Sequence, residues 1–342
     1  MIQIDHDRAR KVFDTLIQVL RGHHYPFEDG INVPQQESNM PRRLEQGSRA
    51  HALFLFWVCY YMRGAIKSDV AFIAMSKLYD ADPNFFEPRL VRQRTIRGIQ
   101  RSLSSVRLNF GITQVPHFLR RNAEKLHRHW QSNPLELFRR AKSYDELVAL
   151  MKHGGRQSIT QFLSAPQGFY GFREKMVSML AYFLQDAGLI KDSKFPVPVD
   201  FHVLRMLFSN EILVSNVGVI QPALASVWAR EVTEWYCHEA DITMRELCNA
   251  LWIYSRQVCS HAPANGSQIG SYHGRKTQVE PEDLHWGRGQ KDRHGRSCKF
   301  CPLVMTCRYG IPSGDYYQKG VIKLRDRDQR VPAQRDLAFL IG

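Results

Sequence analysis

No uninterrupted apolar run in this 342-residue chain reaches the length of a membrane span. The longest, Ala52 to Met62, is too short to cross a bilayer and fits a buried helix. The first residues, MIQIDHDRARK, are charged and have no hydrophobic stretch of the signal-peptide kind. A cytoplasmic location with no membrane partner is therefore expected, nucleoid-associated if the source is bacterial. Cysteine is sparse: seven residues, unevenly placed, are too few for a disulfide scaffold. Strand-like alternation is scarce, and no internal repeat is visible. Acids are also short, at 33 Asp plus Glu against 47 Lys plus Arg, leaving a formal charge of +14. That surplus points to a polyanionic partner, most often nucleic acid. Hydrophobic residues make up 44% of the chain, enough for buried cores and too many for wholesale disorder.

What the chain does have is helical periodicity. It predicts helices over Asp7–Leu20, Ser48–Arg63, Leu90–Leu103, Pro116–Trp130, Ser143–Lys152, Ser158–Leu163, Lys175–Asp186, Phe201–Phe208, Pro222–His238 and Thr243–Val258. Ser143 with Glu146, and Thr243 with Glu246, have capping-box spacing. Ile31–Gln46 and Ser260–Ser297, rich in polar and turn residues, read as loops. The fold class expected is all-α, in two helical lobes meeting near residues 140 to 155. A basic amino-terminal lobe spans 1–145 and a second lobe 146–258; a cysteine region covers 259–310 and an extension 311–342. A monomer is expected.

The positive charge is concentrated. Between Arg89 and Lys142 stand thirteen Lys or Arg against two acids, Glu124 and Glu136. Arg94, Arg97 and Arg101 recur at three or four residues, so one helix would gather them on one face. A solvated helix surface is the plain reading; the density favours a phosphate-contacting one. The aromatics Phe54, Phe56, Trp57, Tyr60 and Tyr61 read as core, whereas Phe169 and Tyr170 read as accessible.

Cys59, Cys237 and Cys248 lie in apolar helical stretches and read as core thiols. Cys259, Cys298, Cys301 and Cys307 gather late in the chain, the last three as C-x2-C-x5-C. Three soft thiolates at that spacing suit one tetrahedral metal centre, with Cys259 the nearest fourth ligand. His261, His273, His285 and His294 lie in the intervening segment, so a zinc site stays open beside an iron–sulfur cluster.

The run Leu251-Trp-Ile-Tyr-Ser-Arg256-Gln-Val-Cys259 followed by that triplet resembles the iron–sulfur end of endonuclease III-like enzymes. These belong to the helix-hairpin-helix (HhH-GPD) DNA glycosylase superfamily. The departure is the long segment Ser260–Ser297 between the first two cysteines. A second match is Phe195-Pro-Val-Pro-Val-Asp200-Phe-His202-Val-Leu-Arg205, similar to the family's V-D-x-H-x2-R segment. A third is Tyr170-Gly171-Phe172-Arg173-Glu174-Lys175, similar to its hairpin, with Arg173 where a second glycine is expected.

The resemblance covers about residues 150 to 310. It implies a two-lobed HhH-GPD fold with a carboxy-terminal iron–sulfur loop and a [4Fe–4S] cluster on Cys259, Cys298, Cys301 and Cys307. It also implies double-stranded DNA as partner and Asp200 as catalytic carboxylate. Lys175 is then a possible lyase nucleophile, an ordinary helical lysine or a phosphate contact. Gly171, Arg173, Arg94, Arg97, Arg101, Lys299 and Arg308 are the expected DNA contacts. The implied function is removal of a damaged or modified base from DNA, a repair role or an attack on modified foreign (phage) DNA. Cleavage of a free modified nucleoside and non-catalytic DNA binding around a structural metal are the competing readings.

Overall fold

The computed structural model describes residues 2–31, 33–62, 66, 68–152, 168–215, 219–220, 222–255, 301–307, 322–324 and 337–339. It is mostly helical, as the periodicity predicts, and among the described residues every strand is two or three residues long. Among the described residues no helix is long and apolar enough to cross a membrane. The chain divides into two compact units: residues 1–32 with 199–342, and residues 33–198.

The unit of residues 33–198 is built around α2 (Arg49–Tyr61). Ser48 starts that helix by accepting the His51 N–H at 3.2 Å. Every side chain from His51 to Tyr61 is buried, as a helix apolar on all sides requires. Phe54, Phe56, Trp57, Tyr60 and Tyr61 are therefore core, as expected. The packing partners of α2 are α3 (Ser68–Ala81) and α9 (Glu174–Asp186). Phe54 meets Phe72 of α3 edge to face, and Phe56 stacks on Phe172 at 4.9 Å, just ahead of α9.

The periphery of this unit holds α4 (Pro88–Val91), α5 (Ile96–Ser105), α6 (Val115–His129), α7 (Leu135–Arg140) and α8 (Tyr144–Met151). The predicted helix over Leu90–Leu103 is broken in two. Thr95 accepts the Gly98 N–H at 3.1 Å and caps a new helix, so Arg94 is not on a shared face with Arg97 and Arg101. The expected lobe boundary near residue 145 does not coincide with the division of the chain. The reason is α8, which packs on both α7 and α9. The Tyr144 hydroxyl donates to the Glu174 carbonyl at 2.8 Å and accepts from Ser178 at 2.9 Å.

The other unit begins with α1 (His6–Arg21), capped by Asp5, whose carboxylate accepts the Arg8 N–H at 2.9 Å. Its buried stripe, Ala9, Val12, Phe13, Leu16, Ile17 and Leu20, faces α11 (Pro222–Glu239) and α12 (Met244–Ile253). The Tyr236 hydroxyl donates to Asp14 at 2.6 Å. Burial, then that bond, raises the phenol's pKa and keeps it a neutral donor. Arg21 pairs with Glu246 at 2.7 Å and Arg10 with Glu239 at 3.1 Å. These contacts explain why the first thirty residues belong with the carboxy-terminal half.

In the same unit α10 (Phe201–Ser209) packs on α11. The antiparallel pair β1 (Ile2–Ile4) and β2 (Leu213–Ser215) has Gln3 opposite Val214. A three-stranded sheet joins β3 (Val219–Ile220), β4 (Ile322–Leu324) and β5 (Leu337–Phe339) in that order, β3 parallel to β4. Both capping boxes form only by half. Ser143 and Thr243 accept their N–H groups at 3.2 and 3.1 Å. Glu146, however, turns to the Lys142 N–H, and Glu246 to Arg21. Among the described residues of Ile31–Gln46 there is no helix beyond a 3-10 turn at Glu37–Asn39. The predicted helix Ser158–Leu163 and the loop Ser260–Ser297 lie outside the described residues.

Candidate functional site

The segment resembling the hairpin forms a tight turn leading into α9. Gly171 adopts φ +82°, a backbone conformation that L side chains rarely hold, so glycine is required there. Arg173, where a second glycine was expected, has φ −128° and ψ −179°. That is ordinary extended backbone, so a side chain is accommodated. Arg173 occupies the N-cap of α9, is exposed and leaves the helix start without a side-chain cap. Lys175 is the second residue of the helix and is half-buried. Its ammonium acts electrostatically on the thiol of Cys59, which burial drives far above the ordinary thiol range.

What holds this turn is α6. Asn122 is completely buried and grips the backbone of Tyr170 twice. Its Oδ1 accepts the Tyr170 N–H at 2.8 Å, and its Nδ2 donates to the Tyr170 carbonyl at 3.0 Å. Phe118 stacks on the Tyr170 ring at 4.6 Å. Lys125 donates to the Gly168 carbonyl and lies 5.3 Å from the Tyr170 ring centre. Phe169 is seated against Phe56 and Phe172, and its N–H donates to the Met151 carbonyl at 2.8 Å. Phe169 and Tyr170 are therefore buried, against the expectation that they are accessible.

The expected arginine contacts sort into two kinds. Arg94 donates twice to Asp82, at 2.6 and 2.9 Å, and lies 5.5 Å from the Phe85 ring centre. It is an internal ion pair. Arg97 and Arg101 are exposed on α5, with no ion pair among the described residues. Elsewhere in the basic stretch, Glu124 pairs with Arg92 and Arg128, and Glu136 with Arg139. The two acids thus engage three arginines and offset two of their three charges.

In the other unit Asp200 is the N-cap of α10. Its Oδ1 accepts the Val203 N–H at 3.0 Å. The residue is half-buried, behind a buried run from Pro196 to Val199. One carboxylate oxygen is fixed by the helix start, and the other makes no hydrogen bond among the described residues. The helix start thereby fixes the orientation of the carboxylate.

Cys301 and Cys307 share a closed turn. The Val304 N–H donates to the Cys301 carbonyl at 3.1 Å, and the Cys307 N–H to the Leu303 carbonyl at 2.8 Å. Thr306 ties the turn to Asn210 of α10's end at 3.3 Å. Cys301 is buried. Its sulfur accepts the Leu303 N–H at 3.3 Å and is hydrogen-bonded to the Tyr254 hydroxyl at 3.0 Å. A sulfur that accepts a backbone N–H and has a hydroxyl beside it is compatible with a thiolate, the form that ligates metal. Cys259, Cys298, Lys299 and Arg308 lie outside the described residues, as do His261, His273, His285 and His294. Among the described residues no three His, Cys, Asp or Glu side chains form a metal-binding group. Cys59, Cys237 and Cys248 are buried core thiols, as expected.

Asn122 was absent from the sequence reading, although a signal for it exists. Leu119, Ala123 and Leu126 mark the buried stripe of α6, and Asn122 lies on it. A polar residue on a buried stripe requires a partner. Comparison with protein-family models and with curated protein sequences finds no match to this chain.

Proposed function

We propose that the chain is a DNA glycosylase of the helix-hairpin-helix type, with an iron–sulfur loop, acting on a damaged or modified base flipped out of duplex DNA. The observation that carries this reading is the carboxylate of Asp200. It stands at a helix start with one oxygen held by backbone and the other without a hydrogen bond among the described residues, inside a V-D-x-H segment. Cleaving an N-glycosidic bond builds positive charge on the sugar, and an oriented carboxylate stabilises that charge and aligns a water. The base and its bond are buried in a duplex, so the nucleotide has to be extruded first. The glycine turn ahead of α9 supports the reading, since a turn of this kind presents backbone N–H groups to a DNA phosphate.

Lys175 decides whether strand cleavage follows. An unprotonated Lys175 attacks C1′, the base departs with the C1′–N bonding pair, and ring opening gives a Schiff base. The test uses duplex oligonucleotides that each carry one uracil, one alkylated purine or one oxidised pyrimidine. Base release from at least one supports the reading, and release from none counts against it. Borohydride trapping on the released duplex, lost in Lys175→Gln, assigns Lys175 as nucleophile. Release without trapping assigns water.

Cys301 and Cys307, with Cys259 and Cys298, would hold the [4Fe–4S] cluster, whose chemistry in this reading is structural: it pins the turn against α10's end. Purified protein is expected to carry iron and acid-labile sulfide at about four each per chain. Stoichiometric zinc would overturn the cluster assignment and leave Asp200 untouched.

A further inference from the structure

The turn at Gly171 has a second layer on α6. Arg121 and Lys125 are one helical turn apart, both half-buried, both against Tyr170. An Arg121 nitrogen lies 3.5 Å from the Tyr170 hydroxyl, and Lys125 reaches the Gly168 carbonyl. The acid nearest in sequence, Glu124, is engaged by Arg92 and Arg128. Among the described residues no carboxylate pairs with Arg121, and no acceptor takes the backbone N–H of Gly171, Phe172 or Arg173. Two cations are thus held one helical turn apart, partly out of water, against the residues that enter the turn.

We propose that Arg121 and Lys125, together with the Tyr170–Arg173 turn, form a site for a phosphate of the duplex DNA backbone. This rests on the glycosylase reading and goes beyond it by naming the helix that completes the hairpin's phosphate site. The electrostatics agree. Burial and then the neighbouring Arg121 pull the Lys125 pKa down to about 8, so the pair is under like-charge tension that an anion relieves. A phosphate offers acceptors for both side chains and for backbone N–H groups at once. Asn122, between the two cations in sequence, holds the backbone of Tyr170 where the turn begins.

The test is equilibrium binding of a fluorescent duplex to the full chain over a range of salt. Arg121→Gln and Lys125→Met are each expected to weaken binding and to reduce the slope of log affinity against log salt by about 1. Arg139→Gln removes the same charge from a residue already paired with Glu136 and is expected to leave the slope as in the parent. Circular dichroism establishes that each variant is folded, and Arg121→Gln gives a result if the Lys125 variant does not fold. Parent-like slopes in folded variants, with a parent that binds DNA and releases base, overturn this site alone. A parent that binds no duplex overturns the glycosylase reading with it.

Discussion

Asp200→Asn is expected to slow base release by about 10²- to 10³-fold, with little change in folding. The discriminating power of this variant comes from the cap. Asn and Asp are about equal as N-cap residues, since either side-chain oxygen accepts the N–H of the third helical residue. The Val203 N–H therefore keeps its partner in the variant. What is lost is the full negative charge that opposes the positive charge growing on the sugar. Loss of that charge near the helix start costs at most about 2 kcal/mol of stability. In a chain of this size that is a few degrees in melting temperature. A cap-only role predicts almost no change in either readout, and a catalytic role predicts a large kinetic loss beside a small thermal one. Base release is measured in single turnover on whichever damaged duplex the parent attacks, alongside a thermal melt. Parent-like release would leave Asp200 as a helix cap and remove it from the mechanism. Asp200→Ala serves as the second arm, because it removes charge and cap together and is expected to add about 1 kcal/mol of destabilisation.

Helix positions were legible because burial of one stripe leaves a period in the sequence. The amphipathic α1 and α6 were found within a residue or so of their ends. The all-apolar α2 was found from its composition. The misses have separate causes. α3 shows Val70 and Ile73 to solvent while burying Phe72 and Met75, which blurs its stripe. α5 starts afresh because Thr95 offers a cap inside what the arginine spacing made look like one helix. Chain division was not legible locally. It depends on α1 pairing through Arg21, Arg10 and Asp14 with residues more than two hundred positions away. Of the candidate site, Asp200, Gly171 and the cysteine spacing are local patterns and could be read. The burial of Tyr170, the capture of Arg94 by Asp82, and the Tyr254 bond to Cys301 are tertiary and carry no local mark.

Asn122→Leu is expected to be the most destabilising single change near the candidate site. Asn122 lies in the middle of α6, where Asn has only modest helix propensity, so nothing local requires it. Its partner, Tyr170, is 48 residues away and offers a buried N–H and a buried carbonyl, and one amide answers both. Leucine fills a similar volume and suits the stripe, but it leaves two backbone groups without partners. Each costs about 1–3 kcal/mol when buried and unpaired, the carbonyl less than the N–H, so roughly 3 kcal/mol is expected in all. For a unit of this size that corresponds to a fall of roughly 6–12 °C in melting temperature. Asn122→Asp is no rescue: it still accepts from the Tyr170 N–H, loses the donor to the carbonyl, and brings a buried charge. A consequence for function follows from the geometry. The turn at Gly171 is aimed by Asn122, so a variant folded below its melting point is expected to bind duplex DNA more weakly and to exchange the Gly171–Arg173 amides faster. A melting temperature within about 2 °C of the parent would mean that Phe118 and Lys125 hold the turn without the amide, and Asn122 would then be packing alone.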